Sequence, residues 1–570
     1  MKKIKNIKLT ATLVCFAFFL IGCENADLNI QDNPNALTAE SADPNFILNS
    51  IQVNFTNQHF SLSNSALDIM RNTNMFGTYA SNATNGEING PWATTYQMFS
   101  DLKLLEEISV TRNLPVHVGM GQVLKAFAMV NMVDYIGDAV YSQALNPAEF
   151  PNPEFDEGKT IYDAMYLLLD EAIGNLNTAG SINPEDLYFN GDVSKWVKLA
   201  NSLKIKMYVT SKLSGTANAA AKINQIVASG KYMTNMSDDF YSKFGTSETN
   251  PDTRHPFWSG NYLAAAGSIQ SNDFMNKMLN GRSFKDPRMN QYFYRQVLVD
   301  PNDPLIVATG NVLLPCDGDA SFTFCYIGEG YWGRDHGDDE GIPNHGQQLA
   351  TFGAYPVGGA IDLSGTQGDA VAVAAASYNS ATSSKTQGEH IFDELTNVNP
   401  AAKDATTSGG AGIHPIMMSS FNDFLLAEAS LPIPQGMGVT GSSSTYLRNA
   451  LTKSFATVAS HTGVAMNATD VTAYINEVLA LHDAATTEIK LQIIMREYYI
   501  AAFMNGVEAY NGYRRTGYPV FTTGQTVGSF PRSFLFPISE LEANDNPNVI
   551  QKTSTAVQVF WDTNAPGFID

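Results

Sequence analysis

Three stretches place a tryptophan or tyrosine beside asparagine or glycine: Trp92 with Asn89, Trp258 with Asn261 and Tyr262, and Tyr331 with Trp332. A sugar ring presents apolar C–H faces between its hydroxyls. A flat aromatic to stack on and an amide to orient the hydroxyls therefore make up the chemistry these stretches offer. Read as loops, they supply exposed binding rings; the other reading of each is an aromatic that plugs a loop onto a scaffold. Trp196 is different, because it continues at helical spacing through Leu199, Ala200 and Leu203, which marks it as core.

A fourth stretch, Gly333 to Gly341, packs Asp335, Asp338, Asp339 and Glu340 together. Hard oxygen ligands at this density can hold a structural calcium, although the spacing is not that of an EF-hand. The same composition also suits an acidic turn that caps its own amides. His336 and His345 lie nearby without a further soft ligand to suggest zinc, and no other cofactor is called for. Asp335 and Glu340 are the carboxylates one would nominate for glycoside hydrolysis, which needs an acid and a second carboxylate across the sugar bond. The chain has 56 acidic residues, so some such pairing is inevitable, and no Gly-x-Ser-x-Gly elbow, HExxH helix or phosphate loop accompanies it. Binding without catalysis is the simpler reading.

Positioning these loops is the task of a long chain. Its 570 residues are 44% hydrophobic and 16% charged, ample for a core and low in charge for a soluble surface. The 34 basic residues against 56 acidic ones give a formal charge of -22, and the pI is near 4.7. Nucleic acid or an anionic membrane surface would need a basic surplus, so neutral ligands are favoured. The first 22 residues read as a removable leader: Lys2, Lys3, Lys5 and Lys8, an apolar stretch from Ala11 to Ile21, then Leu-Ile-Gly before Cys23. That stretch is too short to span a membrane, and the Cys23 thiol is placed for lipid attachment. Loss of the four leader lysines and no acid moves the formal charge from -22 to -26. Once Cys15 leaves with the leader and Cys23 takes lipid, Cys316 and Cys325 remain. A disulfide between them would close a short loop and contribute about 2.7 kcal/mol on the chain-entropy model; two free thiols are the alternative.

Helical periods dominate on both sides of an irregular middle. The spacing predicts helices over 43–60, from Trp92 through Leu102, Leu105 and Ile108, over 116–132, from Thr160 to Leu176, after the Asp192 cap, and over 217–229. Helices resume over 415–429, 445–460, 469–482 and 487–504. The organisation is then a leader (1–22), an N-terminal helical scaffold (23–240), a loop-rich insert (241–410) that carries the ligand-binding loops, and a C-terminal helical and closing segment (411–570). The fold class is mainly α, a tetratricopeptide-like stack of antiparallel helix pairs. An adhesin of repeated β-sandwiches does not fit this periodicity.

Seven stretches together resemble the SusD/RagB family of outer-membrane nutrient-binding lipoproteins, in its SusD-like second branch. They are Tyr135-Ile-Gly-Asp-Ala-Val-Tyr141, Lys195-Trp-Val-Lys-Leu-Ala-Asn-Ser-Leu203, Asp286-Pro-Arg-Met289, Gly333 to Pro343, Glu428 within Leu-Leu-Ala-Glu-Ala, Glu508 to Pro519, and Phe530 to Pro537. Leu-Ile-Gly-Cys23 resembles the bacterial lipobox, and Glu24 and Asp27 resemble the acidic surface-export signal of Bacteroidetes lipoproteins. The resemblance implies a helical scaffold of four pairs and a ligand face built from the N-terminal loop and the insert. It also implies an outer-membrane location through the lipid anchor alone, and partnership with a SusC-like TonB-dependent transporter that receives an oligosaccharide or, as in the RagB arm, a peptide. No nucleic-acid partner is expected.

Overall fold

The computed structural model describes residues 42–263, 268–295, 322–324, 327–339, 349–362, 406–521 and 525–569. Cys23, Cys316, Cys325, Glu340 and His345 lie outside the described residues, as does the leader.

Helix α1 (Pro44–Leu67) buries Leu48, Ile51, Phe55 and Leu62 along one stripe and packs on α2 (Asn89–Arg112) and α3 (Pro115–Ile136). Proline at the first turn of α3 costs no intrahelical bond, and Gly137 ends the helix at φ +82°, where a side chain would be strained. Helix α3 is long and apolar enough to cross a membrane by length and composition alone. Here it is enclosed by α1, α2, α4 (Gly158–Leu176) and α5 (Val193–Thr210) as the central core helix. The side chain of Asp192 caps α5 by accepting the Ser194 N–H. Helix α6 (Ala219–Ser229) completes the N-terminal group.

After the insert come α7 (Ser419–Ala429), α8 (Ser443–Thr462), α9 (Ala468–Ala484), α10 (Thr487–Ala501) and α11 (Gly506–Thr516). The result is a mainly helical, tetratricopeptide-like stack of antiparallel pairs. Helix α5 divides two cores. Trp196, Leu199 and Leu203 belong to the larger one with α1 to α4, whereas Ile205, Tyr208 and Val209 belong to a second one with α6 to α10. Within α5, Lys206 is buried and ion-paired with Glu508 of α11. Strand β1 (Phe240–Lys243) pairs antiparallel with β4 (Ile413–Met417), so the two ends of the insert are tied into one ribbon. Inside it, β2 (Phe293–Tyr294) pairs with β3 (Thr351–Phe352).

Most of the stretches that carry the family resemblance are internal fastenings. Asp134, one residue before that stretch, accepts from Trp561 Nε1 at 2.9 Å, from Asn511 Nδ2 at 2.7 Å and from the Tyr162 hydroxyl, which ties the closing segment to α3. Asp286 holds Arg288 through two bonds, of 3.0 and 2.6 Å. Glu428 holds Arg515 at 2.8 and 2.7 Å and Lys212 at 2.9 Å. All of these acids are fully buried.

Burial also makes the fold sensitive to acid. His59 Nδ1 and His414 Nε2 lie 2.8 Å apart, and His255 packs beside them across Phe60 and Phe244. Desolvation pushes His255 and His414 down to about 3 and His59 well below its ordinary value. A base whose folded pKa is depressed contributes fully above its unfolded value near 6.5, and that contribution is lost as pH falls towards 3. At pH 5 the two histidines with values cost about 2 kcal/mol each. Asp68 and Asp239, raised to about 6 by burial, act in the opposite sense and return about 1 kcal/mol each over the same interval. Among these five groups the histidines outweigh the acids, with His59 on their side, while Asp134, Asp335 and Asp423, also raised by burial, narrow the margin. Urea unfolding at pH 7 and pH 5 should give a lower midpoint at pH 5; an equal or higher midpoint contradicts this assignment.

Candidate ligand site where the N-terminal loop meets the insert

The loop that leaves α1 is laced to two segments of the insert. Thr73 bridges Gln270, and the Asn74 N–H donates to Ile269 O at 2.7 Å. Arg334 N–H donates to Gln270 O at 3.0 Å, Asn272 N–H to Arg334 O at 2.9 Å, and Gly337 N–H to Met75 O at 2.9 Å. Segments 73–75, 270–272 and 333–337 thus form one polar seam. Gly333 is required there, because a Cβ would lie 2.4 Å from Gln270 O.

Two side chains in the seam stand out chemically. Asn74 and Gln270 are 2% and 0% exposed, yet both atoms of each amide are buried without a hydrogen-bond partner among the described residues. An unmet buried amide costs about 1–3 kcal/mol, so four unmet atoms on adjacent segments call for an explanation. At the outer end of the same loop, the Phe76 ring is 46% exposed, with the Arg334 guanidinium 5.5 Å from its centre. Trp332 packs behind the seam against Ile269 and Leu349.

The acidic turn is built into this seam. Asp335 Oδ1 accepts from Asn272 Nδ2 at 2.9 Å, and Oδ2 accepts from the backbone N–H groups of Thr323 at 2.6 Å and Phe324 at 2.8 Å. Both oxygens therefore cap amides, and desolvation raises the pKa of this carboxyl. Asp338 is buried and Asp339 exposed. Among the described residues no group of three or more His, Cys, Asp or Glu side chains is arranged to hold a metal ion.

The aromatic residues singled out in the sequence do not form one exposed platform. Trp92 and Asn89 sit in the first turn of α2 rather than in a loop. Trp92 is on the buried stripe with Thr95, Phe99 and Leu102, 4.6 Å from Tyr96 and 5.8 Å from Phe155. Asn89 Oδ1 accepts from Ser539 N–H and Oγ. Trp258 and Tyr262 stack on each other at 5.7 Å inside the insert. Asn261 Nδ2 donates to Phe257 O, and the Tyr262 hydroxyl donates to Phe352 O while accepting the Ala360 N–H. Tyr331 is fully buried, and its hydroxyl donates to Asn290 Oδ1 at 2.9 Å. None of these five rings is more than 8% exposed, which corrects the expectation of solvent-facing rings: each packs into a hydrophobic cluster. Only Trp332 belongs to the seam. Sequence reasoning missed Asn74, Gln270 and Phe76, although Asn72-Thr-Asn-Met-Phe-Gly77, a polar run ending in an aromatic directly after the first helix, was a usable signal.

The helical-pair scaffold and its loop-built polar seam can be set against known proteins. The profile of the SusD-like second-branch family, described as starch-binding and associating with the outer membrane, matches residues 34–306 and 367–537, and the chain belongs to that family. Among solved structures, a SusD-like protein described as Bacteroidetes AC2a superposes with a TM-score of 0.66 at 18% identity, covering 92% of this chain and 100% of that one. A SusD/RagB family protein from Bacteroides thetaiotaomicron gives 0.60 at 19% identity, with 92% and 100% covered. A chitin-binding SusD homolog from Flavobacterium johnsoniae gives 0.59 at 18% identity, with the same coverage. These likenesses establish the shared fold. Among curated protein sequences none matches this chain.

Proposed function

We propose that this protein captures neutral oligosaccharides at the outer-membrane surface, without cleaving them, and delivers them to a SusC-like TonB-dependent transporter. The observation that carries the reading is the set of unmet amide atoms on Asn74 and Gln270 in the seam whose loop also carries the half-exposed Phe76 ring. Sugar hydroxyls donate and accept at once, which is what these buried amides need when a ligand parts the seam, and a ring face suits Phe76. The family's description and the chitin-binding relative support a glycan as the ligand class. Capture rather than hydrolysis is supported by Asp335, whose oxygens are already occupied by N–H donors. Lipidation at Cys23 would hold the chain at the membrane. A Cys23→Ser form should then appear in the soluble fraction, and one that still sediments wholly with outer membranes overturns the anchor.

The seam has a signature that separates binding from folding. Asn74→Leu removes two unmet polar atoms, so it should leave the protein as stable as the parent or more so, by about 1 kcal/mol, while weakening glycan binding at least about tenfold. Thermal melts with isothermal titration against malto- and chito-oligosaccharides test this. A variant that binds like the parent removes the seam from the ligand site. Binding should also change little between low and high salt, because a neutral glycan displaces no counterions.

A further inference from the structure

A hollow apart from the seam is lined by residues that the seam does not use. It has a volume of about 700 Å³ and opens between the Phe284–Gln291 stretch of the insert and the start of α9. This volume is within the roughly 300–1,000 Å³ range of small-molecule sites. Phe284 at its edge is 51% exposed, and Met466 adds a further apolar surface. Gln291, 4% exposed, also lines the hollow. Asn290 lines it too, its Oδ1 fixed by the Tyr331 hydroxyl.

The charges around the hollow limit what it can take. Lys285 is engaged by Glu329 at 2.7 Å, while Asp286 and Asp362 are held by Arg288 and Arg295. Asp470 adds an acid from the first turn of α9. No unpaired cation lines the hollow among the described residues, so an anion would find acids and no counter-charge there. A half-exposed ring, the apolar side chains of Met466 and Ala473, and the amide-bearing Asn290 and Gln291 suit a neutral pyranose ring.

We infer that this hollow is a second binding site for neutral oligosaccharide, separate from the seam at Asn74 and Gln270. It rests on the ligand class proposed above but on none of the same residues. The test is titration calorimetry of the full chain with maltotriose and with chitotriose. It uses the parent, Phe284→Ala, Ala473→Trp to fill the hollow, and Phe76→Ala at the seam, each with a thermal melt. The parent should show two binding events for at least one probe. Phe284→Ala and Ala473→Trp should each lose one of them, or weaken it about tenfold or more, at an unchanged melting temperature. Phe76→Ala should weaken only the other. A single event that survives both hollow variants and is lost in Phe76→Ala overturns the hollow and leaves the seam standing. A single event lost only in the hollow variants does the reverse, and no binding of either probe by the parent overturns both.

Discussion

Glu428→Gln should lower folding stability by about 3–5 kcal/mol, measured as the shift in urea unfolding at pH 7. The carboxylate is fully buried and engages two cations, Arg515 through a two-bond fork and Lys212 at 2.9 Å. Neutralising it leaves both cations desolvated without compensation, which is far costlier than losing an exposed ion pair. The pKa behaviour agrees in sign. Burial alone would raise this carboxyl, but Arg515 and Lys212 outweigh it and hold Glu428 down to about 2. A depressed acid contributes above its unfolded value and loses that contribution as pH falls from about 4.5 towards 2, so the parent should lose about 3 kcal/mol from this group across that window and the Gln variant none of it. A variant within about 1 kcal/mol of the parent would show the triad to be energetically neutral.

Trp196→Ala should cost about 3–5 kcal/mol by leaving a large cavity in the main core. Its ring is fully buried in edge contacts with Tyr188, Phe189 and Phe240, and Nε1 donates to Asp186 at 2.9 Å. Trp258→Ala and Trp332→Ala should also lower the melting temperature, since their rings are 8% and 2% exposed. That reverses what their glycine- and asparagine-rich surroundings suggest. Melts in which Trp258→Ala and Trp332→Ala match the parent while Trp196→Ala does not would return these rings to the solvent.

The helices were legible because their apolar spacing is regular: Ile161, Met165, Leu169, Ala172 and Leu176 are all buried on α4 as their periodicity requires. Trp196 was legible for the same reason. Composition around a residue proved a poorer guide than spacing. Trp92 follows Asn89-Gly-Pro, which reads as loop, but it opens the buried stripe of α2. Lys206 looks like surface until Glu508, 302 positions away, supplies its counter-charge. The seam depends on a similar long-range meeting. Asn74, Gln270 and Arg334 carry no shared local pattern, and long-range backbone pairing, including the bridges from Thr73 to Gln270 and from Ser271 to Arg334, brings them to one place. Their lack of hydrogen-bond partners is a property of the packed chain, so no reading of local sequence could have found it.

The most direct test of glycan capture is native affinity electrophoresis of the parent and Asn74→Leu side by side, in gels cast with soluble starch, with glycol chitin and without polysaccharide. The parent should be retarded in at least one polysaccharide gel, Asn74→Leu should run there close to its mobility in the plain gel, and no reducing ends should be released. Equal retardation of both proteins, or release of reducing ends, contradicts it.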